Sequence, residues 1–284
     1  MPEQNVTLTL AFLEKHPRSA SHILEQHDFK KVANFFTQIP HSYVAKVVQH
    51  MMPDFTAHIC KNLEVGAAAG ILSSLETSLI ATVLRFLETR KRKEILEVFP
   101  LKTRVACNLL LRFSQKTVGA WMTPHVSIIS DDCTIKEALH ILSNAGEIVH
   151  TDSVFVVNRE RVLKGYIHYI DLLRSDPERP VNLIVEVGGK SLSGHTSLKQ
   201  ASTYNAWNQV DMIPVVNRKN EFIGALRHVD LRKGLNHLEA PINNQDIQDH
   251  RSDMVTIYSQ SMLAIFQTMN NIIIESDITD ERSQ

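Results

Sequence analysis

Two stretches of the same length decide the fold of the central part of this chain. They are SVFVVNRERVLKGYIHYIDL at residues 153–172 and MIPVVNRKNEFIGALRHVDL at residues 212–231. The string VVNR occurs in both at an offset of 59 residues, and the same offset places Gly165 on Gly224. Each stretch has β-branched runs on both sides of a polar turn, followed by a helical pattern that an acidic residue opens. Because a helical segment also precedes each stretch, the sequence predicts two tandem α–β–β–α modules.

A second repeat, with a period of twelve residues, runs through the N-terminal third of the chain. Alanine marks its register at Ala33, Ala45, Ala57, Ala69 and Ala81. Apolar residues follow two and six positions after each alanine, which is the face of a two-turn helix. Such short helices bury their faces only by stacking on their neighbours. We therefore predict a helical superhelix in which Pro40, Pro53 and Pro100 lie at the ends of units.

The composition is that of an ordinary globular protein. The chain has 284 residues, 43% of them hydrophobic, and its 30 basic and 31 acidic residues leave a formal net charge of −1. Without a surplus of positive charge we expect no nucleic-acid partner. The three widely spaced cysteines, Cys60, Cys107 and Cys133, are typical of free thiols in a reducing compartment. Since no signal peptide or membrane-spanning apolar run is visible, we expect a soluble cytoplasmic protein.

The central repeat resembles a pair of CBS domains. The resemblance rests on the opening Met122-Thr123-Pro124, the apolar hairpin and the closing glycine and aspartate at G-x-x-x-x-x-D spacing. The twelve-residue helical array joined to this pair through TVGAWMTP resembles the cytoplasmic half of the MgtE magnesium channels. The resemblance covers about residues 28–238.

This resemblance and the two repeats together predict the architecture of the chain. We expect an α-helical superhelix followed by an α/β tandem CBS-domain pair and a C-terminal helix. The expected boundaries are a helical domain at 1–115, CBS domain 1 at 117–178, CBS domain 2 at 181–238, and a linker with an amphipathic helix at 239–284.

The resemblance implies a nucleotide site in the cleft between the two modules, with ATP, ADP or AMP as ligand. In the family, the closing aspartate holds ribose hydroxyls and a Ser or Thr three residues before it contacts phosphate. Here the hydroxyl positions hold His168 and Arg227, and a cation can also pair with phosphate. The alternative role for each aspartate is to cap the helix that follows. The candidate cleft residues are Asp171, Asp230, His168, Arg227, Pro124 and Pro214.

The resemblance also implies magnesium sensing by surplus carboxylates, because Mg²⁺ is a hard cation that prefers oxygen ligands. Two stretches that are rich in acidic residues in the family contain basic residues here. They are NRKNE at 217–221 and HVDLRK at 228–233. The remaining metal candidates are Asp152, Asp171, Asp211 and Asp230.

The C-terminal segment carries apolar residues in a coiled-coil spacing. From Val255 to Ile272 they step by three and four residues alternately. Two interpretations stay open, a helix packed on its own CBS modules and a helix at a dimer axis. The family implies a homodimer through the CBS domains.

Three functions are compatible with the sequence, and none is enzymatic because no catalytic motif occurs. The leading hypothesis is an MgtE-like regulatory protein that senses Mg²⁺, an adenine nucleotide or both, and is linked to magnesium transport or homeostasis. The alternative is a ligand-independent scaffold, because the array also resembles the stacked helices of flagellar motor switch proteins. The third is a subunit of a split transporter with a separate membrane chain.

Overall fold

The computed structural model describes residues 2–144, 152–187 and 191–239. The chain divides into two compact units between Arg104 and Val105. The predicted seam from Val255 to Ile272 lies outside the described residues, so both interpretations of the C-terminal segment stay predictions.

Helices make up the N-terminal part of the described chain. They are α1 (Pro2–Lys15), α2 (Pro17–Leu24), α3 (Phe29–Thr37), α4 (His41–Val48), α5 (Pro53–Asn62), α6 (Val65–Leu72), α7 (Thr77–Phe86), α8 (Thr89–Val98) and α9 (Leu101–Leu111). From α3 to α9 each helix begins twelve residues after the one before it, so the predicted period is confirmed.

The ends of these helices follow from local chemistry. The Asp28 side chain accepts hydrogen bonds from the backbone N–H groups of Lys30 and Lys31 and so caps α3. Pro40 is the N-cap residue of α4, and Pro53 is the first residue of α5. Proline suits these positions because the first backbone N–H groups of a helix have no partner within the helix.

From α2 to α6, each helix of the array packs on the second helix after it. Contacts join α3 to α5, α5 to α7, α4 to α6, and α6 to α8. The five alanines that mark the repeat are all buried, the most exposed being Ala45 at 5%. Lys93 takes the same repeat position in α8 and is exposed. Val105 takes the same position in α9 and is also exposed, so this repeat position is buried from α3 to α7 and exposed in α8 and α9.

The second unit contains two three-stranded sheets. The first module comprises β1 (Ile128–Ser130), α10 (Ile135–Asn144), β2 (Ser153–Val157), β3 (Leu163–His168) and α11 (Tyr169–Arg174). The second comprises β4 (Leu192–Ser193), α12 (Leu198–Ser202), β5 (Met212–Val216), β6 (Phe222–Arg227) and α13 (His228–Glu239). Short 3₁₀ helices lie at Val118–Ala120, Val181–Leu183 and Asn205–Asn208.

The two hairpins repeat each other at the predicted offset of 59 residues, whereas the first strands do not, because Ile129 and Leu192 pair with the equivalent residues Val156 and Val215. In each sheet the first strand pairs parallel with the second, and the second pairs antiparallel with the third. A register shift falls between Val156 and Val157 in β2 and between Val215 and Val216 in β5. The helix predicted from SLKQASTYNAWNQ is shorter than expected, because α12 ends at Ser202 and a 3₁₀ helix follows.

The two modules are joined by crossed backbone pairing. The segment that enters the first module pairs with the second sheet, where Thr123 and Ala225 exchange N–H···O bonds of 2.7 and 3.0 Å. The segment that enters the second module pairs with the first sheet, where Tyr166 and Glu186 exchange bonds of 3.3 and 3.0 Å. Tyr166 and Ala225 are repeat equivalents, and each lies on the third strand of its sheet.

Two glycines allow these segments to approach so closely. A Cβ atom on Gly165 would lie 2.2 Å from the Glu186 carbonyl oxygen, and one on Gly224 would lie 2.7 Å from the Thr123 carbonyl oxygen. Gly224 also has a φ of 156°, which disfavours other residues. The repeated glycine is therefore explained by the crossing.

We predict that Gly165→Ala destabilises the CBS unit by about 2 kcal/mol, because the new Cβ displaces the crossing segment. Gly66→Ala is the control, since nothing lies within 4 Å of a Cβ built there in α6. We expect the control to be neutral or stabilising by up to about 1 kcal/mol. Urea denaturation of both variants measures the difference, and equal stability would contradict the account of the crossing.

Candidate functional site

A cavity of about 410 Å³ lies between the two modules. The first module contributes Ser153, Phe155, Leu163, Gly165 and Tyr166 to its wall, and Val187 follows on the connecting segment. The second module contributes Asn205, Ala206, Gln209, Val210, Met212, Ile213 and Pro214. Aromatic and aliphatic groups alternate with neutral hydrogen-bonding groups, and none of these lining residues carries a formal charge. Such a lining is typical of a small-molecule pocket.

One wall of the cavity is the start of β5, whose edge has no strand partner within the part of the chain that the structure describes. β4 pairs only with Val215 and Val216, so residues 212–214 of β5 extend beyond it among the described residues. Backbone N–H and C=O groups along such an edge need hydrogen-bonding partners. They are therefore suited to bind a planar polar ligand.

The first module places a hydrogen-bonded carboxylate beside the cavity. The Tyr166 hydroxyl donates to the Glu186 carboxylate, and this hydrogen bond raises the pKa of the tyrosine. The His168 ring lies at the same edge, with its Nε2 atom 3.9 Å from Glu186 Oε1. This edge therefore carries an acidic group next to a histidine.

The second module places a cation at the position equivalent to His168. Arg227 binds Asp230 through two atoms, with Nε donating to Oδ2 at 2.5 Å and Nη2 donating to Oδ1 at 3.0 Å. The Lys233 Nζ atom lies 3.5 Å from Asp230 Oδ1. The Asp230 side chain is only 2% exposed, which makes this a largely buried ion pair.

The interpretation of the closing aspartates as helix caps is wrong. His168 is the N-cap residue of α11, and Asp171 lies in the first turn of that helix. Asp230 likewise lies in the first turn of α13, and its carboxylate accepts from Arg227. A carboxylate in a first turn still interacts favourably with the helix dipole.

The six predicted cleft residues are placed unequally around the cavity. Pro214 lines it, and the other five are absent from its described lining. Pro124 lies at the crossing, with its Cα atom 3.2 Å from a Cβ built on Gly224. Sequence reasoning missed Asn205 and Gln209, because neither takes part in a repeat or a motif.

The four predicted metal ligands do not form one cluster. No group of three or more acidic, histidine or cysteine side chains arranged to hold a metal occurs in residues 2–144, 152–187 and 191–239. Asp152 and Asp211 are repeat equivalents with exposed side chains, at the starts of β2 and β5. Their roles stay predictions.

Two family models match consecutive parts of the chain. Residues 15–116 match the MgtE intracellular N domain, and residues 118–178 match the CBS domain. The second module, at 181–238, has the same sheet topology as the matched CBS domain. The expected MgtE-like architecture is therefore confirmed.

Relatives and solved structures agree with these matches. The magnesium transporter MgtE of Thermus thermophilus is 25% identical over 124 residues, which are 43% of this chain and 28% of that protein. The chain thus spans less than a third of that relative.

Two solved structures share the fold. The cytosolic domain of the Mg²⁺ channel MgtE in complex with ATP has a TM-score of 0.67 at 22% identity, over 79% of this chain and 92% of that one. The soluble part of a magnesium transporter has a TM-score of 0.59 at 17% identity, over 84% and 100%. Within the described part of the chain, no helix has both the length and the hydropathy to cross a membrane.

We predict that Arg227→Ala destabilises the CBS pair by roughly 2 kcal/mol, because it leaves the buried Asp230 carboxylate with Lys233 alone. Arg159→Ala is the matched control, since it breaks an ion pair with Asp132 in which both side chains are at least 42% exposed. We expect the control to change stability by less than about 0.5 kcal/mol. Thermal unfolding of both variants tests this, and an equal loss would contradict the assignment.

Proposed function

We propose that this chain is a regulatory module of magnesium transport whose CBS pair binds an adenine nucleotide in the cavity between the two modules. The observation that carries the proposal is the cavity itself, closed by residues of both modules. A ligand that contacts both modules can shift their arrangement, because it binds the two arrangements with different affinities.

The chemistry of the lining supports a purine base. The rings of Phe155 and Tyr166 offer apolar faces, and the strand edge at 212–214 offers backbone hydrogen-bonding groups. Asn205 and Gln209 add amide donors and acceptors without charge. The similar MgtE cytosolic domain that binds ATP supports the same ligand class.

We further propose that the chain acts in the cytoplasm on a magnesium transporter. That transporter would be a separate membrane-spanning subunit. Support comes from the MgtE N domain and from the similarity to a curated magnesium transporter. Direct sensing of Mg²⁺ would use Asp152, Asp171, Asp211 or Asp230. Since these residues form no cluster within the described part of the chain, we favour an adenine nucleotide over Mg²⁺ as the ligand.

We expect ATP, ADP or AMP to raise the melting temperature of the CBS pair. Stabilisation reaches about 2.7 kcal/mol when a ligand is present at a hundred times its Kd. Ala206→Trp fills the cavity and should abolish the shift, whereas Ser202→Trp on the exposed face of α12 should retain it. Scanning with each nucleotide and with Mg²⁺ alone measures these shifts.

The absence of any nucleotide-dependent shift in the unmodified protein would overturn the proposed sensing and favour the ligand-independent scaffold. A shift with Mg²⁺ alone that survives Ala206→Trp would place the ligand outside the cavity.

We also propose a homodimer through the CBS helices. Exposed apolar side chains collect on this unit, at Ile141 (46%), Ile170 (49%), Leu173 (69%), Leu183 (62%) and Val229 (41%). Ile170 and Val229 are repeat equivalents, so the two modules present similar surfaces. A second copy can cover such self-complementary surfaces about a two-fold axis.

We expect Leu173→Asp combined with Ile170→Asp to convert the dimer to a monomer. Gln200→Asp is the control, since Gln200 is an exposed polar residue of α12. Sedimentation equilibrium gives the mass of each variant. A dimer that survives the double substitution would exclude this face.

A further inference from the structure

Residues 85–104, which we call the array end, expose large apolar side chains. Phe86 (48%) ends α7, Val98 (56%) ends α8, and Leu101 (66%) begins α9. Phe86 and Val98 take the same position in consecutive twelve-residue units. The earlier units hold polar residues at this position, which are Gln38, His50, Asn62 and Ser74. An exposed apolar side chain at this position is therefore confined to α7 and α8.

The stacking of the array explains why the array end is poorly covered. From α2 to α6, each helix packs on the second helix after it. The part of the chain that the structure describes holds no further twelve-residue unit after α9. The repeat position that is buried from α3 to α7 is accordingly exposed at Lys93 in α8 and at Val105 in α9. Because each repeat of a helical array buries its face only on its neighbours, the last units need a covering element.

The array end is also basic. Residues 85–104 contain seven lysine or arginine residues and three glutamate residues, which leaves a net charge of +4. Glu88 forms an ion pair with Lys61, which lies in α5. Glu94 forms an ion pair with Arg90 within α8. The acidic groups of this stretch therefore do not balance its positive charge.

The placement of these charges on α8 favours an acidic partner. Arg90, Lys91 and Arg92 lie in the first turn of that helix, where the helix dipole favours acidic side chains instead. Burial, and after it the nearby charge of Arg92, lowers the pKa of Arg85 in α7. Like charges are thus held close together where α7 and α8 meet, and an acidic group bound there would reduce their repulsion.

The C-terminal segment has the complementary composition. Residues 240–284 contain seven acidic and two basic residues, which leaves a net charge of −5. All seven acidic residues lie on either side of the uncharged stretch 254–274, which carries the apolar seam from Val255 to Ile272. An amphipathic helix with acidic flanks matches an apolar surface with basic neighbours in both hydrophobicity and charge.

We propose that the C-terminal segment docks on the array end, with its apolar seam on Phe86, Val98 and Leu101 and its acidic flanks beside the basic residues of α8. The segment then supplies the covering element that the last units of the array need. The linker at 240–254 can span up to about 50 Å, which exceeds the diameter of a small domain, about 30 Å. The docking does not depend on nucleotide binding in the cavity.

Chymotrypsin cleavage of the full chain at Tyr258 and Phe266 measures how much of the segment is undocked, because a protease cuts the open form. We expect Val98→Asp combined with Leu101→Asp to raise the cleavage rate at least about tenfold, since both apolar contacts are lost and the new charges repel the acidic segment. Met52→Asp is the matched control, because Met52 is an apolar residue of the same array that is 52% exposed outside the array end. The control should change the rate less than about twofold.

An exchange of charges provides a second test, which loss of folding cannot imitate. Arg90→Glu combined with Lys93→Glu should raise the cleavage rate about threefold or more. An acidic residue at position 90 suits the first turn of α8, so the array should stay folded, and its melting by circular dichroism checks this. Adding Asp277→Lys and Glu281→Lys to this variant should return the rate to within about twofold of the unmodified protein.

Three results would overturn the inference. The first is a cleavage rate that stays the same in the double aspartate variant, or that rises equally in Met52→Asp. The second is a rise in the Arg90 and Lys93 variant that the exchanged charges at 277 and 281 do not reverse. The third is a lower mass in sedimentation of the double aspartate variant without any change in cleavage, which would assign the array end to a second copy of the chain.

Discussion

The crossed backbone pairing of the CBS unit is the constraint on which the rest of the site depends. Thr123 pairs with Ala225, and Glu186 pairs with Tyr166, so each entering segment extends the sheet of the other module. Each sheet therefore depends on a segment that enters the other module for backbone pairing along its third strand. The cavity exists because the same crossing brings Tyr166 and Val187 to the start of β5. The crossing also requires glycine at Gly165 and Gly224, since any side chain there would collide with the crossing segments.

The two modules are alike in backbone and different in side chains. The strands, bulges and turns of the two hairpins coincide at the 59-residue offset, and the turn residues Arg161 and Asn220 share a φ of 61°. The rims differ, because Arg227 binds Asp230 while His168 faces Glu186. A symmetric scaffold thus carries one asymmetric site.

Much of this architecture could be predicted from the sequence, because both repeats have local signatures. The twelve-residue period, which alanine marks in five units, predicted the spacing of the helices from α3 to α9, and the recurrence of VVNR predicted both hairpins. The crossing segments and the lining residues Asn205 and Gln209 could not be predicted, since they depend on contacts between distant segments. The Arg227–Asp230 pair had a local signal, an i, i+3 spacing at the start of a helix, but that spacing does not predict that the Asp230 side chain is buried.

Amide hydrogen exchange of the full chain with and without saturating ATP tests the central claim most directly. A nucleotide held between the modules should slow exchange in both walls at once, at residues 163–166 and 205–213, and leave helices α3 to α8 unchanged. Slowing in only one of the two walls, or no slowing in either, would contradict a ligand site between the modules.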